Sequence, residues 1–271
     1  MTSSIRRRNL IALVGGAAVG WPLIVRAEQP DDQVATLIDR ILRLQAEAIA
    51  VKVVQFVWEI ERQMGWMTQL PWSTRSIEAL RTDAARLLRQ APAVAEIAQL
   101  DSAGREQALV SRVAADVVGS LTDYSRHPKF FEAVASKHYY GPVYFRRQSE
   151  PYMTIAISGA RHDYGVVVAE VNLKFIWDVV RLSKIGDHGV AYIVDAQDRV
   201  MAHSDPGLIG RDVSSLAHVK ATRVAGSGPQ STTQVAHDSN GREVLAASMP
   251  ITGLGWLAIV ELPVGEAPAL R

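Results

Sequence analysis

The 271-residue chain has no cysteine. Disulfides, thiol nucleophiles, thiolate metal sites and iron–sulfur clusters are therefore excluded. It also lacks a surplus of charge of either sign, with a formal net charge of +1, so no basic patch is expected for a nucleic-acid partner. No Gly-x-Ser-x-Gly elbow, phosphate loop or Gly-x-Gly-x-x-Gly turn occurs, and none of the 7 histidines is paired at i, i+4. No enzyme and no cofactor is expected from motifs of these kinds. Past the first thirty residues there is no apolar run of 18 residues, the length at which a membrane-spanning helix would be considered. What is present is apolar material, 48% of the residues, ample for a buried core.

The N-terminus has the layout of an export signal. Arg6-Arg7-Arg8 precedes an apolar, glycine-rich run over 10–25, and the small-residue step Val25-Arg26-Ala27 leads into polar sequence. A basic head, a short apolar stretch and a small-residue cleavage site define a secretory signal peptide. The arginines followed by Leu10 and Ile11 resemble a twin-arginine (Tat) signal. About 16 apolar residues fall short of the roughly 20 that span hydrocarbon, so cleavage is favoured over anchoring. Segment 1–27 carries four arginines and no acid, which leaves 25 basic against 28 acidic residues and a net charge of −3 for the exported body.

From 31 to 67, apolar residues recur every three or four positions: Val34, Leu37, Ile38, Ile41, Leu44, Ala48, Val51, Phe56, Ile60 and Met64. This spacing predicts one amphipathic helix of about 35 residues, roughly 50 Å long. Gly65 and Pro71 interrupt it, and a second helix is predicted over 73–89. Trp58, Trp66 and Trp72 near the break suit a core or a dimer seam.

After Pro92 the pattern turns to short apolar runs separated by turns. Runs 94–100 and 107–113 around Asp101-Ser-Ala-Gly104 read as a hairpin. A helix follows over 125–137, then strands over 141–145, 152–158 and 166–171 and a connecting helix over 175–182. A second unit repeats the scheme: a hairpin over 189–203, helical stretches within 206–225, and strands over 232–237, 243–250 and 256–262. The endings Val-Ala-Glu170-Val and Ile-Val-Glu261-Leu match locally, a hint of duplication. The fold class is α+β, a long N-terminal helix followed by two antiparallel-sheet units.

The stretches Tyr140-Gly-Pro-Val-Tyr-Phe-Arg-Arg-Gln-Ser-Glu-Pro-Tyr-Met-Thr154, Gly165-Val-Val-Val-Ala-Glu-Val-Asn-Leu173 and Gly189-Val-Ala-Tyr-Ile-Val-Asp195 through Val200-Met-Ala-His203 resemble the double Cache (dCache) family. Members are extracytoplasmic sensor regions of bacterial histidine kinases, cyclases and chemoreceptors. The resemblance implies PAS-like units and divides the chain into a signal peptide (1–27), a helical region (28–90), a membrane-distal unit (91–184), a membrane-proximal unit (185–264) and a tail (265–271). It also implies a small molecule in the distal pocket, with Glu170 matching an acid of the amino-acid binders. The helix segment falls at Arg126-His127-Pro128-Lys129-Phe130, without the family's tryptophan, and Thr154 stands where those binders have aspartate.

Candidate ligand-binding residues are Tyr144, Arg146, Arg147, Glu150, Tyr152, Thr154, Glu170 and His127. A guanidinium clamps a carboxylate with two parallel hydrogen bonds. Because strand side chains alternate, at most one of Arg146 and Arg147 should face the pocket. Glu170 ends an apolar run, where a carboxylate needs a cation or a pocket rim. The expected function is a periplasmic, non-catalytic sensor for a small organic anion, homodimeric through the long helix and acting on a membrane-bound signalling partner. A solute-binding protein serving a transporter is the alternative and would have parallel α/β lobes; an exported hydrolase is the third. Intact-mass analysis of the exported protein is expected to give a chain starting at Glu28, and a mass starting at Met1 would contradict cleavage.

Overall fold

A computed structural model describes residues 30–147, 150–183, 185–226 and 232–266; the signal-like segment 1–27 lies outside them. Helix α1 (Pro30–Gly65) is followed by two short 3-10 turns and α2 (Ile77–Gln90), whose first turn is capped by Ser76, with Ala79 N donating to Ser76 Oγ at 3.1 Å. Strands β1 (Val94–Leu100), β2 (Glu106–Ser111) and β3 (Val117–Val118) lead to α3 (Pro128–Ser136). Next come β4 (His138–Tyr140), β5 (Tyr144–Arg146), β6 (Glu150–Ser158), β7 (Val166–Asn172) and the connecting helix α4 (Trp177–Arg181). The second unit holds β8 (Val190–Val194), β9 (Val200–His203), α5 (Ala217–Ala225), β10 (Thr232–His237), β11 (Glu243–Ile251) and β12 (Trp256–Pro263). Among the described residues no helix is long and apolar enough to cross a membrane.

The first sheet runs β3-β2-β1-β7-β6-β4, with β5 also on β6, and the second runs β10-β11-β12-β8-β9. Read from the second strand of each unit, β2-β1-β7-β6-β4 and β9-β8-β12-β11-β10 have one topology, and their pairings are antiparallel. The predicted α+β class holds, and parallel α/β lobes of the solute-binding kind are absent among the described residues. The short strands β3 and β4 escaped prediction because two or three residues are too few to establish alternation.

The turns repeat as well. Asp101, Asp195 and Asp238 each open a hairpin in which Oδ1 accepts the backbone N–H groups two and four residues on, at 2.8–2.9 Å. The fourth residue of each turn takes positive φ: Gly104 at 82°, Asp198 at 58° and Gly241 at 79°. Glycine enters that region without steric cost, whereas Asp198 is held there while Arg223 Nε donates to its Oδ1 at 2.8 Å.

The long helix forms as expected, but its apolar positions split into two stripes. Leu42, Ala46, Ile49, Val53, Val57, Ile60 and Met64 are buried against a core shared with both sheets. Val34, Leu37, Ile41, Leu44, Val51 and Trp58, the first five of which the sequence pattern assigned to a single stripe, remain exposed. Both sets step by three and four, and at 3.6 residues per turn they lie roughly 160° apart. Periodicity alone could not choose between two faces of equal period.

Asp195 is fully buried and also accepts from Arg199 Nε at 3.0 Å. Asp195→Ala is expected to cost about 3 kcal/mol, because the change removes the acceptor of two backbone N–H groups and of a half-buried guanidinium. A drop of roughly 6–12 °C in Tm should follow for a domain of this size. An unchanged Tm by differential scanning calorimetry would contradict that account of the turn.

Candidate functional site

On the face of the first sheet toward α3, alternation places Glu96, Ala98 and Leu100 of β1, Tyr152, Thr154 and Ala156 of β6, and Val166, Val168 and Glu170 of β7 on one side. The end nearest the β1–β2 turn is apolar, where Ala98, Leu100, Ala156, Val166 and Val168 pack with Phe130 and Ala133 of α3. The other end is polar. There Glu170 lies opposite both Glu96 and Thr154 in register, bringing two carboxylates onto adjacent strands.

Neighbouring side chains compensate that charge. Tyr144 Oη donates to Glu170 Oε2 at 2.6 Å and Thr154 Oγ1 to Oε1 at 2.9 Å. Arg146 donates to Tyr144 Oη at 3.1 Å and to Glu96 Oε1 at 3.2 Å. Its guanidinium also lies 4.4 Å from the centre of the Tyr152 ring, which stacks with Tyr144 at 6.0 Å. Burial and the bond to Glu170 push the Tyr144 hydroxyl well above the usual phenol range. Burial alone would lower Arg146, but its bonds to Glu96 and Tyr144 outweigh that and raise it.

The helix side contributes a cation. Lys129, in the first turn of α3, stands with Nζ 3.6 Å from the centre of the Tyr124 ring and forms no ion pair among the described residues. Burial draws its ammonium below the usual lysine range, against the pull of Glu170, Glu106 and Glu96. The Lys129 ammonium on the helix side is thus attracted by the Glu170, Glu106 and Glu96 carboxylates of the sheet.

The remaining sequence candidates are placed differently. His127 caps α3, its Nδ1 accepting from Lys129 N at 3.2 Å, and burial with Lys129 nearby lowers its pKa, so that the ring is neutral near pH 7. Arg147 is exposed at a turn with φ 49°, outside the cluster; the chain turns directly after β5, which leaves Arg146 as the inward guanidinium. Glu150 lies opposite Arg146 in the β5–β6 register, at the strand's start. Sequence reasoning missed Lys129, Tyr124 and Glu96. Alternation along 94–100 was the available signal for Glu96, whereas Lys129 was named only as part of the helix segment 126–130.

One contact joins the cluster to the second unit. Arg199, beyond the Asp195 turn, donates Nη2 to the Val143 carbonyl at 2.5 Å and lies 5.2 Å from the Phe145 ring centre. The strand carrying Tyr144 and Arg146 is thereby gripped from below.

The family profile of the Cache domain, in its double form, matches residues 28–270. This chain belongs to the Cache domain family. The sensory domain of the Campylobacter jejuni chemoreceptor Tlp3 is similar to this Cache chain at 11% identity, with 88% of this chain and 98% of that chain covered and a TM-score of 0.69. The Tlp3 ligand-binding domain in complex with L-valine gives 11% identity, 88% and 97% coverage and 0.68. The ligand-binding domain of the Pseudomonas aeruginosa PAO1 amino acid chemoreceptor PctC, in complex with GABA, gives 15% identity, 84% and 99% coverage and 0.59. At these identities the likeness is one of fold. No curated protein matches the sequence. Among the described residues no group of histidines and acids suited to a metal ion occurs.

Proposed function

We propose that this Cache chain is an extracytoplasmic, non-catalytic sensor whose first unit binds a small carboxylate that also carries a hydrogen-bond donor. The observation that carries this reading is the Lys129 ammonium, half-buried, without a salt bridge among the described residues and attracted by Glu170, the carboxylate that Tyr144 and Thr154 hold on the sheet. Lys129 supplies a charge-assisted partner for the ligand carboxylate, and Glu170 accepts from its ammonium or hydroxyl group. The C. jejuni and P. aeruginosa domains, which hold L-valine and GABA, support a ligand of that polarity. The pocket unit is the membrane-distal one, and the output belongs to a membrane-bound signalling partner.

Signalling follows as a population shift. A ligand that bridges α3 and the sheet favours the closed arrangement by as much as it binds that arrangement more tightly. Movement of β5 reaches the second unit through Arg199 and Val143, and the shared core carries it to α1. The exposed stripe of α1, with Leu44 at 53% and Trp58 at 58% exposure, keeps the three-four spacing of a helix-pairing seam. Two copies pairing along it would bury that apolar surface and couple their shifts.

A thermal-shift screen of carboxylates, amino acids, amines and purines tests the site. A cognate ligand at a hundred times its Kd should raise Tm by roughly 5–10 °C. Lys129→Met and Glu170→Gln should each weaken binding at least tenfold, whereas Arg147→Ala should leave it unchanged. Carboxylate binding insensitive to Lys129→Met, or turnover of the ligand by the purified protein, would overturn the reading. For assembly, Leu44→Glu should shift a dimer toward monomer in analytical ultracentrifugation, and a monomeric parent protein at high concentration would refute the seam.

A further inference from the structure

The shared topology allows the two units to be compared position by position. In the first, Leu100 lies opposite Val166 and Glu96 opposite Glu170; in the second, Val194 lies opposite Leu257 and Val190 opposite Glu261. Leu100 and Val194 both immediately precede the aspartate of the repeated turn. Glu261 therefore occupies in the second sheet the place that Glu170 holds in the first. It is 4% exposed, yet it lines a small, open-mouthed cavity of about 20 Å³ between the sheet and the segment leading to α5.

The groups around that carboxylate are built rather than incidental. Tyr192 Oη donates to Glu261 Oε1 at 2.6 Å, and His218 Nε2, on a side chain 1% exposed, lies 3.1 Å from the same oxygen. Both partners serve Oε1, while Oε2 receives no hydrogen bond from any described residue. A carboxylate oxygen without a protein partner at the wall of a cavity is an acceptor open to whatever enters it. His203 lines the same cavity and its Nδ1 accepts from Asp205 N at 2.7 Å, so the neutral ring carries its proton on Nε2 as a free donor. Burial lowers the His203 pKa, which keeps it neutral. At the mouth, Arg211 Nη2 donates to the Ser239 carbonyl at 3.2 Å, and the walls are aliphatic, with Val200, Leu208 and Leu216.

We propose that the second unit holds its own binding site for a short primary ammonium compound with an oxygen acceptor two or three bonds from the nitrogen. Glu261 Oε2 takes the ammonium N–H, and His203 with Arg211 meets the oxygen. The small volume excludes long side chains and limits the ligand to a few heavy atoms. Such a site would let one chain read two signals, one per unit.

The test is isothermal titration calorimetry on the exported protein carrying Glu170→Gln, which disables the first site and separates failure there from failure here. Ethanolamine is the probe, ethylammonium lacks the acceptor and acetate lacks the ammonium. One equivalent of ethanolamine should bind, ethylammonium should bind at least tenfold more weakly, and acetate should give no heat. Adding Glu261→Gln should weaken ethanolamine at least tenfold. Adding Leu208→Trp instead, which fills the mouth and leaves the carboxylate in place, should do the same and decides the matter if the Glu261 variant fails to fold. Undiminished binding in the folded Glu261 variant or in the Leu208 variant, no ethanolamine binding in the Glu170→Gln protein at millimolar concentration, or equal binding of acetate would each overturn the proposal.

Discussion

Burial of the α1 stripe from Leu42 to Met64 in a core that includes Ile97 and Val171 of one sheet and Ala258 and Val260 of the other holds the molecule to a single arrangement. Each large aliphatic side chain in it contributes about 1.5–3 kcal/mol of burial. Neither sheet could shed that contact without exposing its inner face. The helix faces of the two sheets are consequently free to differ in chemistry, because stability is concentrated on the opposite side.

Buried carboxylates do two separate kinds of work on this frame. Asp101, Asp195 and Asp238 are satisfied within their own turns, so they stiffen hairpins and need nothing from outside. Glu170 and Glu261 sit one strand away from such turns, and their partners are side chains: the Tyr144 and Thr154 hydroxyls for Glu170, the Tyr192 hydroxyl and the His218 ring for Glu261. The same residue chemistry is satisfied by the backbone in the turns and by side chains on the sheets.

Much of the fold was legible in the sequence. The hairpin over 94–111, the closing strand before Glu170 and the local match around Glu261 follow from alternation and from turn residues whose geometry is nearly independent of context. The face of α1 was not legible, since two stripes of equal period compete and only the sheets decide between them. For the site, Glu170, Tyr144, Tyr152 and Thr154 were recognised as a group and the structure brings them together. Lys129 was not singled out, because its importance lies in facing Glu170 across about 40 residues of intervening chain. The choice between Arg146 and Arg147 was not legible, because the turn immediately after β5 is set by backbone conformation rather than by residue type. Arg199 carried no signal for the contact between the units, because its partner there is the main-chain carbonyl of Val143.

The β5 strand pairs with β6 at only three positions and lies off the main path of its sheet. Short edge segments of this kind open locally long before the domain unfolds, so the amides of Tyr144 and Arg146 belong to the fast-exchanging part of the molecule. The same marginal attachment makes β5 the cheapest place to alter the polar cluster around Glu170. Substitutions there change the groups around Glu170 while the central strands, and the helix they carry, go on folding as before.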